Sequence, residues 1–219
     1  MHNTVQNLID IQNKLNSHLD KHKIFKVPKI IAVSKTFKIE KILPLIDHGH
    51  KDFGENKVQE AVDKWSEIKL SNPNIQLHLI GKLQTNKVKF AVKIFDYIHS
   101  VDSEKLAKKI SDEQIKIDKK IKIFIQVNIG QEDQKSGVNL SELNSLISYC
   151  REINLDVVGL MCIPPMNEDS TIYFEKMKKL NKENNFQELS MGMSSDYLKA
   201  VINNASYLRV GSSIFGERY

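Results

Sequence analysis

A lysine that directly follows a buried strand is the first residue of this sequence that could do chemistry. The segment KIIAVS (29–34) has the β-branched apolar run typical of a strand buried on both faces, and Lys35 comes next. Desolvation lowers the pKa of such an amine, and a neutral amine attacks carbonyl groups to form Schiff bases. An ion-paired or solvent-reaching lysine at a strand end is the other interpretation. Thr36 is placed to cap the helix that follows.

Two segments near the C-terminus contain glycine and serine in a pattern that suits an anion. They are SMGMSSD (190–196) and RVGSSIFG (209–216). Glycine lets the backbone approach a ligand, and backbone N–H groups with serine hydroxyls are good donors to phosphate oxygens. Each segment alone is equally typical of a plain turn, with Ser194 or Ser195 beginning a helix. Together with a lysine on the same face, they indicate a phosphate-bearing aldehyde or ketone.

Arg209 is the third candidate, because it lies inside the apolar run YLRVG (207–211) and a buried guanidinium needs a partner. That partner is a carboxylate such as Glu55 or Asp196, or else a ring nitrogen of a ligand. An arginine that stays protonated would leave a pyridine nitrogen unprotonated, and such a ring is a weaker electron sink.

Three further ionisable residues have a plainer interpretation. His78 and His99 stand beside apolar neighbours, which predicts hydrogen-bonded histidines of the core or rim. Lys135, in the polar segment QEDQKSGV (131–138), is a rival amine, but its loop predicts exposure to solvent. No His, Asp and Glu trio in the sequence has the spacing of metal ligands.

Eight short apolar runs must position these residues. After an opening helix at about residues 3–22, the runs alternate with longer segments of helical period. This alternation predicts a parallel sheet with right-handed crossovers, and eight units of about 25 residues favour a closed (β/α)8 barrel over an open sheet. No GxGxxG follows the first run, so the dinucleotide signature of the open sheet is missing. The runs are 29–34, 51–54, 76–81, 96–100, 122–129, 156–161, 187–190 and 207–211.

In a barrel of this kind, chemistry lies at the carboxyl ends of the strands. We therefore expect the polar residues at those ends to converge on one face. The residues concerned are Lys35, Gly54, Glu55, Asn56, His78, Gly81, His99, Asn128, Met161, Ser190 to Ser194 and Arg209 to Ser213.

The composition limits the class of protein. The 219 residues are 41% hydrophobic and 27% charged, as in a globular protein. The sequence lacks a membrane-spanning apolar run and the marks of a signal or transit peptide, which predicts a cytoplasmic protein without a membrane partner. The net charge of +5 is spread among mixed lysines and acids, which argues against nucleic acid but allows attraction of small anions. Cys150 and Cys162 fit neither a disulfide framework nor a zinc site and are predicted to be buried.

Seven segments, in order from about residue 29 to 218, resemble the pyridoxal phosphate homeostasis proteins, single-domain relatives of the alanine racemase N-terminal barrel. The segments are IIAVSKT, FGENKVQEA, HLIGKLQTNK, IQVNI…KSGV, GLMCIPP, LSMGMSSD and LRVGSSIFGER. The resemblance implies one domain over residues 1–219, an α/β (β/α)8 barrel of the TIM type with an extra N-terminal helix and no C-terminal β domain.

The resemblance also implies a site for pyridoxal 5′-phosphate. Lys35 would hold the cofactor as an internal aldimine, and Arg209 would lie beside the pyridine nitrogen. The phosphate contacts would come from Ser194 and from the turn formed by Gly211 and Ser212. The residues lining the ring pocket would be Asn56, His78, Asn128 and Met161.

One departure from the family pattern follows the lysine. Many relatives continue with a second lysine and a proline, whereas this chain has Phe37 and Lys38, which would change how the next helix begins.

The implied role is to bind pyridoxal phosphate and supply it inside cells, with effects on vitamin B6 balance, rather than to catalyse a reaction. The sequence ends at Tyr219, soon after the eighth run, so we expect no second domain to cover the cofactor. An uncovered cofactor suits transfer to apoenzymes that depend on it. The alternatives are an amino-acid racemase or lyase that uses the same lysine, and a cofactor-free Schiff-base aldolase for sugar phosphates. We expect a monomer.

Overall fold

The computed structural model describes residues 2–132 and 134–217, and these residues build a closed barrel of parallel strands. Each strand pairs with the strands before and after it in the chain, and the last strand pairs with the first. The strands are β1 (Lys29–Val33), β2 (Asp52–Glu55), β3 (Gln76–Leu79), β4 (Tyr97–Val101), β5 (Lys122–Gln126), β6 (Asp156–Met161), β7 (Glu188–Met193) and β8 (Tyr207–Val210).

The helices lie outside the strands and alternate with them. They are α1 (Asn3–His22), α2 (Ile39–Asp47), α3 (Val58–Ser71), α4 (Val88–Ile94), α5 (Glu104–Lys116), α6 (Leu143–Glu152), α7 (Ser170–Glu183), α8 (Tyr197–Ile202) and α9 (Ser212–Phe215), with a 3-10 turn at Thr85–Lys87 before α4. The predicted opening helix is confirmed as α1, whose apolar residues recur every three or four positions and are buried.

Each predicted apolar run overlaps an observed strand, so the barrel prediction is confirmed. Two strand ends differ from the prediction by three residues: β5 ends at Gln126 rather than at residue 129, and β7, expected to end at residue 190, continues to Met193. Gly192 explains the difference in β7, because its φ of +88° carries the strand through an irregularity in its pairing with β8. A Cβ on Gly192 would lie 2.7 Å from the Cβ of Ala200, so α8 packs directly on the backbone there.

The core has two parts on opposite sides of the barrel wall. The larger part fills the space between strands and helices. The smaller part is inside the barrel and consists of Ile31, Tyr97, Phe124, Met161 and Tyr207. Among the residues that the structure describes, no helix is long and apolar enough to cross a membrane.

Both cysteines are buried, as predicted, and burial raises the pKa of each thiol to about 12. The thiolate is the reactive form, and a rise of this size lowers its fraction about 1000-fold relative to an ordinary thiol. We therefore expect Cys150 and Cys162 to resist a chromogenic thiol reagent in the native protein and to react when urea unfolds it. Rapid reaction of either thiol without denaturant would contradict this assignment.

Candidate functional site

The carboxyl edge of four neighbouring strands forms the candidate site. Around the barrel these strands follow one another as β7, β8, β1 and β2. The pairing aligns Met193 with Arg209 and Ala32 with Val210, so the strands end at similar levels. Gly211, the residue after β8, lies against β1, since a Cβ placed on it would lie 3.3 Å from the Cβ of Val33. The loop that carries Lys35 therefore begins beside the loop after β8.

Charged residues of α3 hold the turn that carries Lys35. On one side of the half-buried Lys35, the Ser34 carbonyl accepts a hydrogen bond from Lys64 Nζ at 3.0 Å. On the other side, the Thr36 N–H donates to Glu60 Oε1. Thr36 has a φ of +69°, which is unfavourable for a β-branched residue and persists only where neighbouring groups impose it. The expectation that Thr36 caps the next helix is wrong, because α2 begins at Ile39 with Lys38 as its N-cap.

Lys64 also pairs with the carboxylate of Glu55 on the outer side of the barrel wall. Glu55 is fully buried, and its Oε1 accepts hydrogen bonds from Ser34 Oγ (2.8 Å), Lys64 Nζ (2.9 Å) and Trp65 Nε1 (3.0 Å). Burial raises the pKa of Glu55 in spite of these partners. Burial would also raise the pKa of Glu60, but hydrogen bonds from the Thr36 N–H and from Lys64 outweigh it and lower that pKa. Lys64 therefore compensates two carboxylates and fixes the turn at once.

The loops after β7 and β8 meet at the hydroxyl of Ser194. Its Oγ accepts hydrogen bonds from the backbone N–H groups of Gly211 (3.3 Å) and Ser213 (3.4 Å). The expectation that Ser194 or Ser195 begins a helix is wrong, because α8 begins at Tyr197 with Asp196 as its N-cap. Ser194 instead faces the start of α9, where backbone N–H groups converge with a hydroxyl in the arrangement that suits an anion.

Arg209 is buried and bound to neutral oxygens. Its Nη1 donates to Ser190 Oγ at 2.7 Å, and its Nη2 donates to the Cys162 carbonyl at 2.8 Å. The suggested carboxylate partners are wrong: Glu55 faces α3 outside the barrel, and Asp196 accepts from the Met193 N–H. Burial lowers the pKa of the guanidinium, although an arginine in a protein stays protonated at neutral pH.

The two histidines lie deeper than the sequence indicated. His78 Nε2 is 3.1 Å from Oδ1 of Asp52, the first residue of β2, and His78 Nδ1 is 3.0 Å from His99 Nε2. Both rings are fully buried. The prediction of hydrogen-bonded core histidines is confirmed, but the expectation that they face the mouth of the barrel is wrong. Their side chains point into the interior, and His78 reaches the amino end of the neighbouring strand, so the structure does not bring it to the edge beside Lys35.

Asn56 and Met161 do lie at carboxyl ends of strands. Asn56 directly follows β2, and a Cβ on Gly81 would lie 2.3 Å from the Asn56 carbonyl oxygen, so the two backbones are in close contact. Met161 is the last residue of β6 and is buried inside the barrel with Phe124.

The side-chain amide of Asn128 forms its hydrogen bonds within its own loop. Its Nδ2 donates to the Glu132 carbonyl at 3.0 Å, and its Oδ1 accepts from the Glu132 N–H at 3.2 Å. The predicted exposure of Lys135 is wrong, since this side chain is half-buried, pairs with Glu132 and donates to the Pro164 carbonyl at 3.3 Å. Asp133 of the same segment lies outside the described residues, as do Arg218, the last residue of the last motif, and Tyr219.

The family assignment follows from comparison with known proteins. A family model described as "Alanine racemase, N-terminal domain" matches residues 7–219. The chain is 38% identical to the pyridoxal phosphate homeostasis protein of Aquifex aeolicus over 200 residues, which is 87% of each chain. It is 34% identical to the protein of that name from Escherichia coli strain K12, over 86% of this chain and 85% of the other. The chain belongs to the pyridoxal phosphate homeostasis protein family.

Solved structures agree with this assignment. PipY of Synechococcus elongatus PCC7942, solved without PLP, is 31% identical with a TM-score of 0.88, covering 98% of this chain and all (100%) of PipY. The same protein solved with PLP bound gives a TM-score of 0.86 over 97% of this chain and 100% of PipY. The alanine racemase of Clostridium difficile 630 is 15% identical with a TM-score of 0.68, over 94% of this chain and 57% of the racemase, and shares the fold.

The contacts that hold Lys35 and Arg209 in place were not predicted from the sequence. Glu60 and Lys64 are four residues apart on α3, a spacing that predicts an ion pair but not its contact with the turn at Lys35. Ser190 was placed at a strand end, but nothing in the sequence identified it as the partner of Arg209.

Proposed function

We propose that this protein binds pyridoxal 5′-phosphate, with Lys35 as the covalent anchor, and supplies it to apoenzymes that depend on it. The observation that carries the proposal is the meeting of two loops at Ser194, directly beside the strand that leads into Lys35. Phosphate-binding groups and an amine thus share one edge of the barrel, as the phosphate and the aldehyde of this ligand require. The PLP-bound structure of PipY supports the same choice of ligand.

The residues present fit each chemical group of the cofactor. The backbone N–H groups of Gly211 and Ser213 and the hydroxyl of Ser194 suit a phosphate dianion, and we propose that the Ser212 N–H joins them. Glycine at 211 suits the close approach of β8 to β1, because a Cβ there would lie only 3.3 Å from the Cβ of Val33. We propose that Asn56 and Met161 line the ring pocket. We propose only an indirect role for Asn128, which would shape the neighbouring loop, and for His78.

A supply role is supported by the partner proposed for the ring nitrogen. When bound, pyridoxal phosphate offers an aldehyde for reversible attachment to amines and a ring that withdraws electrons. Arg209 can only donate hydrogen bonds, so it would hold the ring nitrogen as an acceptor without protonating it. An unprotonated ring withdraws electrons less strongly, which suits storage and transfer better than turnover.

Substitution of Ser194 by alanine tests the phosphate site. We expect the affinity for pyridoxal phosphate to fall by about 10-fold, the equivalent of a hydrogen bond to a charged group worth about 1.5 kcal/mol. The affinity for pyridoxal, which has no phosphate, should not change. Both are measured by titration of the visible absorbance. The matched control is Ser195→Ala at the exposed neighbouring serine, and equal losses for both ligands would refute the assignment.

The racemase or lyase alternative makes a different prediction. An enzyme of that kind would exchange the α-proton of an amino acid with solvent. We expect loaded protein in D₂O to exchange the α-proton of alanine no faster than free cofactor does, as followed by proton NMR. We also expect it to restore activity to an apoenzyme in dilute solution. Rapid, enzyme-dependent exchange would favour the alternative.

A further inference from the structure

A continuous line of hydrogen bonds runs through the barrel interior to Arg209. Starting at Asp52, the distances are 3.1 Å to His78 Nε2, 3.0 Å from His78 Nδ1 to His99 Nε2, and 2.8 Å from His99 Nδ1 to Ser190 Oγ. A last step of 2.7 Å joins Ser190 Oγ to Arg209 Nη1. All these residues except Asp52 are buried. Asp52 lines a cavity of about 560 Å³ between α1 and the starts of β1 and β2.

With both rings neutral, as their surroundings require, the two ends of this line fix the direction of every hydrogen bond in it. A guanidinium can only donate, and a carboxylate can only accept. Ser190 Oγ therefore accepts from Arg209 and donates its own hydrogen to Nδ1 of His99. His99 then carries its hydrogen on Nε2 and donates to His78. His78 likewise donates from Nε2 to Asp52. Both imidazoles are neutral and share one tautomer.

The surroundings keep both rings neutral and in place. Burial lowers the pKa of His78 and lowers that of His99 further, and the charge of Arg209 adds to the effect on His99. His78 stacks on Tyr97 with ring centroids 4.4 Å apart, and His99 stacks on Phe124 at 4.3 Å. If His78 Nδ1 and His99 Nε2 both carried a hydrogen, the two N–H groups would point at each other across 3.0 Å.

We infer that Asp52, His78, His99 and Ser190 are positioning residues that hold the Arg209 guanidinium in one orientation. The carboxylate at one end of the line complements the guanidinium at the other, and intervening hydrogen bonds polarise one another. The Cys162 carbonyl accepts a hydrogen bond from Nη2. Ser190, at the end of the line, accepts one from Nη1, and this second contact stops the guanidinium from rotating. The purpose of this orientation rests on the proposed function, in which Arg209 faces the ring nitrogen. The line itself can be tested without cofactor.

The first test reads the tautomers directly. Long-range ¹H–¹⁵N NMR of cofactor-free protein with labelled histidine should show at least three of the seven histidines as neutral Nε2–H rings: His78, His99 and also His50, whose Nε2 donates to the Asp52 carbonyl. Asp52→Asn is the decisive variant, because an amide can donate as well as accept and so permits the reversed tautomers. We expect the ¹⁵N resonances of both His78 and His99 to shift toward a mixture. The matched control is Asp156→Asn at the exposed start of β6. A charged ring in the wild type, or unchanged His99 resonances in Asp52→Asn, would overturn the inference.

A second variant breaks the line beside Arg209. Ser190→Ala should shift the His99 Nδ1 resonance, and Ser100→Ala is its control, since this buried hydroxyl on the next residue along β4 has no hydrogen-bond partner in the described part of the chain. Equal shifts in the two variants would refute the role of Ser190.

The same pair then tests the link to the cofactor. In protein loaded with ¹⁵N-labelled pyridoxal phosphate, Ser190→Ala should shift the ring nitrogen resonance and Ser100→Ala should not. If the wild type binds no cofactor, the proposed function fails while the histidine result stands.

Discussion

Replacement of Lys35 by alanine is expected to abolish the covalent adduct with pyridoxal phosphate. An imine needs a primary amine, and Lys35 lies in the turn next to the loops that meet at Ser194. Weak binding of the phosphate should persist, since its proposed donors are backbone N–H groups and Ser194. The adduct is measured after borohydride reduction as the mass added to the intact protein, with the visible absorbance as a second readout.

Two lysines serve as controls for this variant. Lys38→Ala removes an exposed amine near the same turn, and Lys135→Ala removes the half-buried rival amine. We expect both to retain the adduct. A Lys35→Ala protein that is labelled as fully as the wild type would show that another amine is the anchor.

Replacement of Lys64 by methionine is expected to destabilise the protein by about 3–5 kcal/mol, the usual cost of removing one partner of a buried ion pair. The change leaves the buried carboxylate of Glu55 and the half-buried carboxylate of Glu60 without their ammonium and frees the Ser34 carbonyl. Urea unfolding at pH 7 measures the loss of free energy of unfolding. Folded-state burial already raises the pKa of Glu55 above its unfolded value, so its protonation favours folding. The loss of free energy of unfolding in Lys64→Met should therefore be smaller at lower pH and larger at higher pH.

The control for charge alone is Lys57→Met, an exposed lysine at the start of the same helix, which should change the free energy of unfolding by less than about 0.5 kcal/mol. Adding Glu55→Gln to Lys64→Met should recover part of the loss. A loss below about 1 kcal/mol for Lys64→Met would contradict the account of this cluster.

The barrel was predictable because its signals are local. Each strand is a short apolar run, each helix has its own period, and the alternation of the two decides the topology. The end of β7 was not predictable, because the strand continues past Ser190 only through the left-handed backbone of Gly192. The positive φ of Thr36 was not predictable either, since it depends on a hydrogen bond to Glu60, 24 positions away.

The site divides in the same way. Lys35, Ser194 and Gly211 could be proposed from the sequence because they follow strands, and the rule that chemistry lies at strand ends needs no contact information. The partners of Arg209 were not found, because which side chains face one another inside a barrel depends on pairing register. His78 and Ser190 looked alike in the sequence, as polar residues among apolar ones, and only the closed barrel joins them into one line.

The location of the covalent bond tests the central claim most directly. Purified protein is incubated with pyridoxal phosphate, its absorbance spectrum is recorded, and the borohydride-reduced product is digested and mapped by mass spectrometry. We predict a visible imine band and a pyridoxyl group on the peptide that contains Lys35. The absence of a band, or a label on the Lys135 peptide alone, would contradict the account.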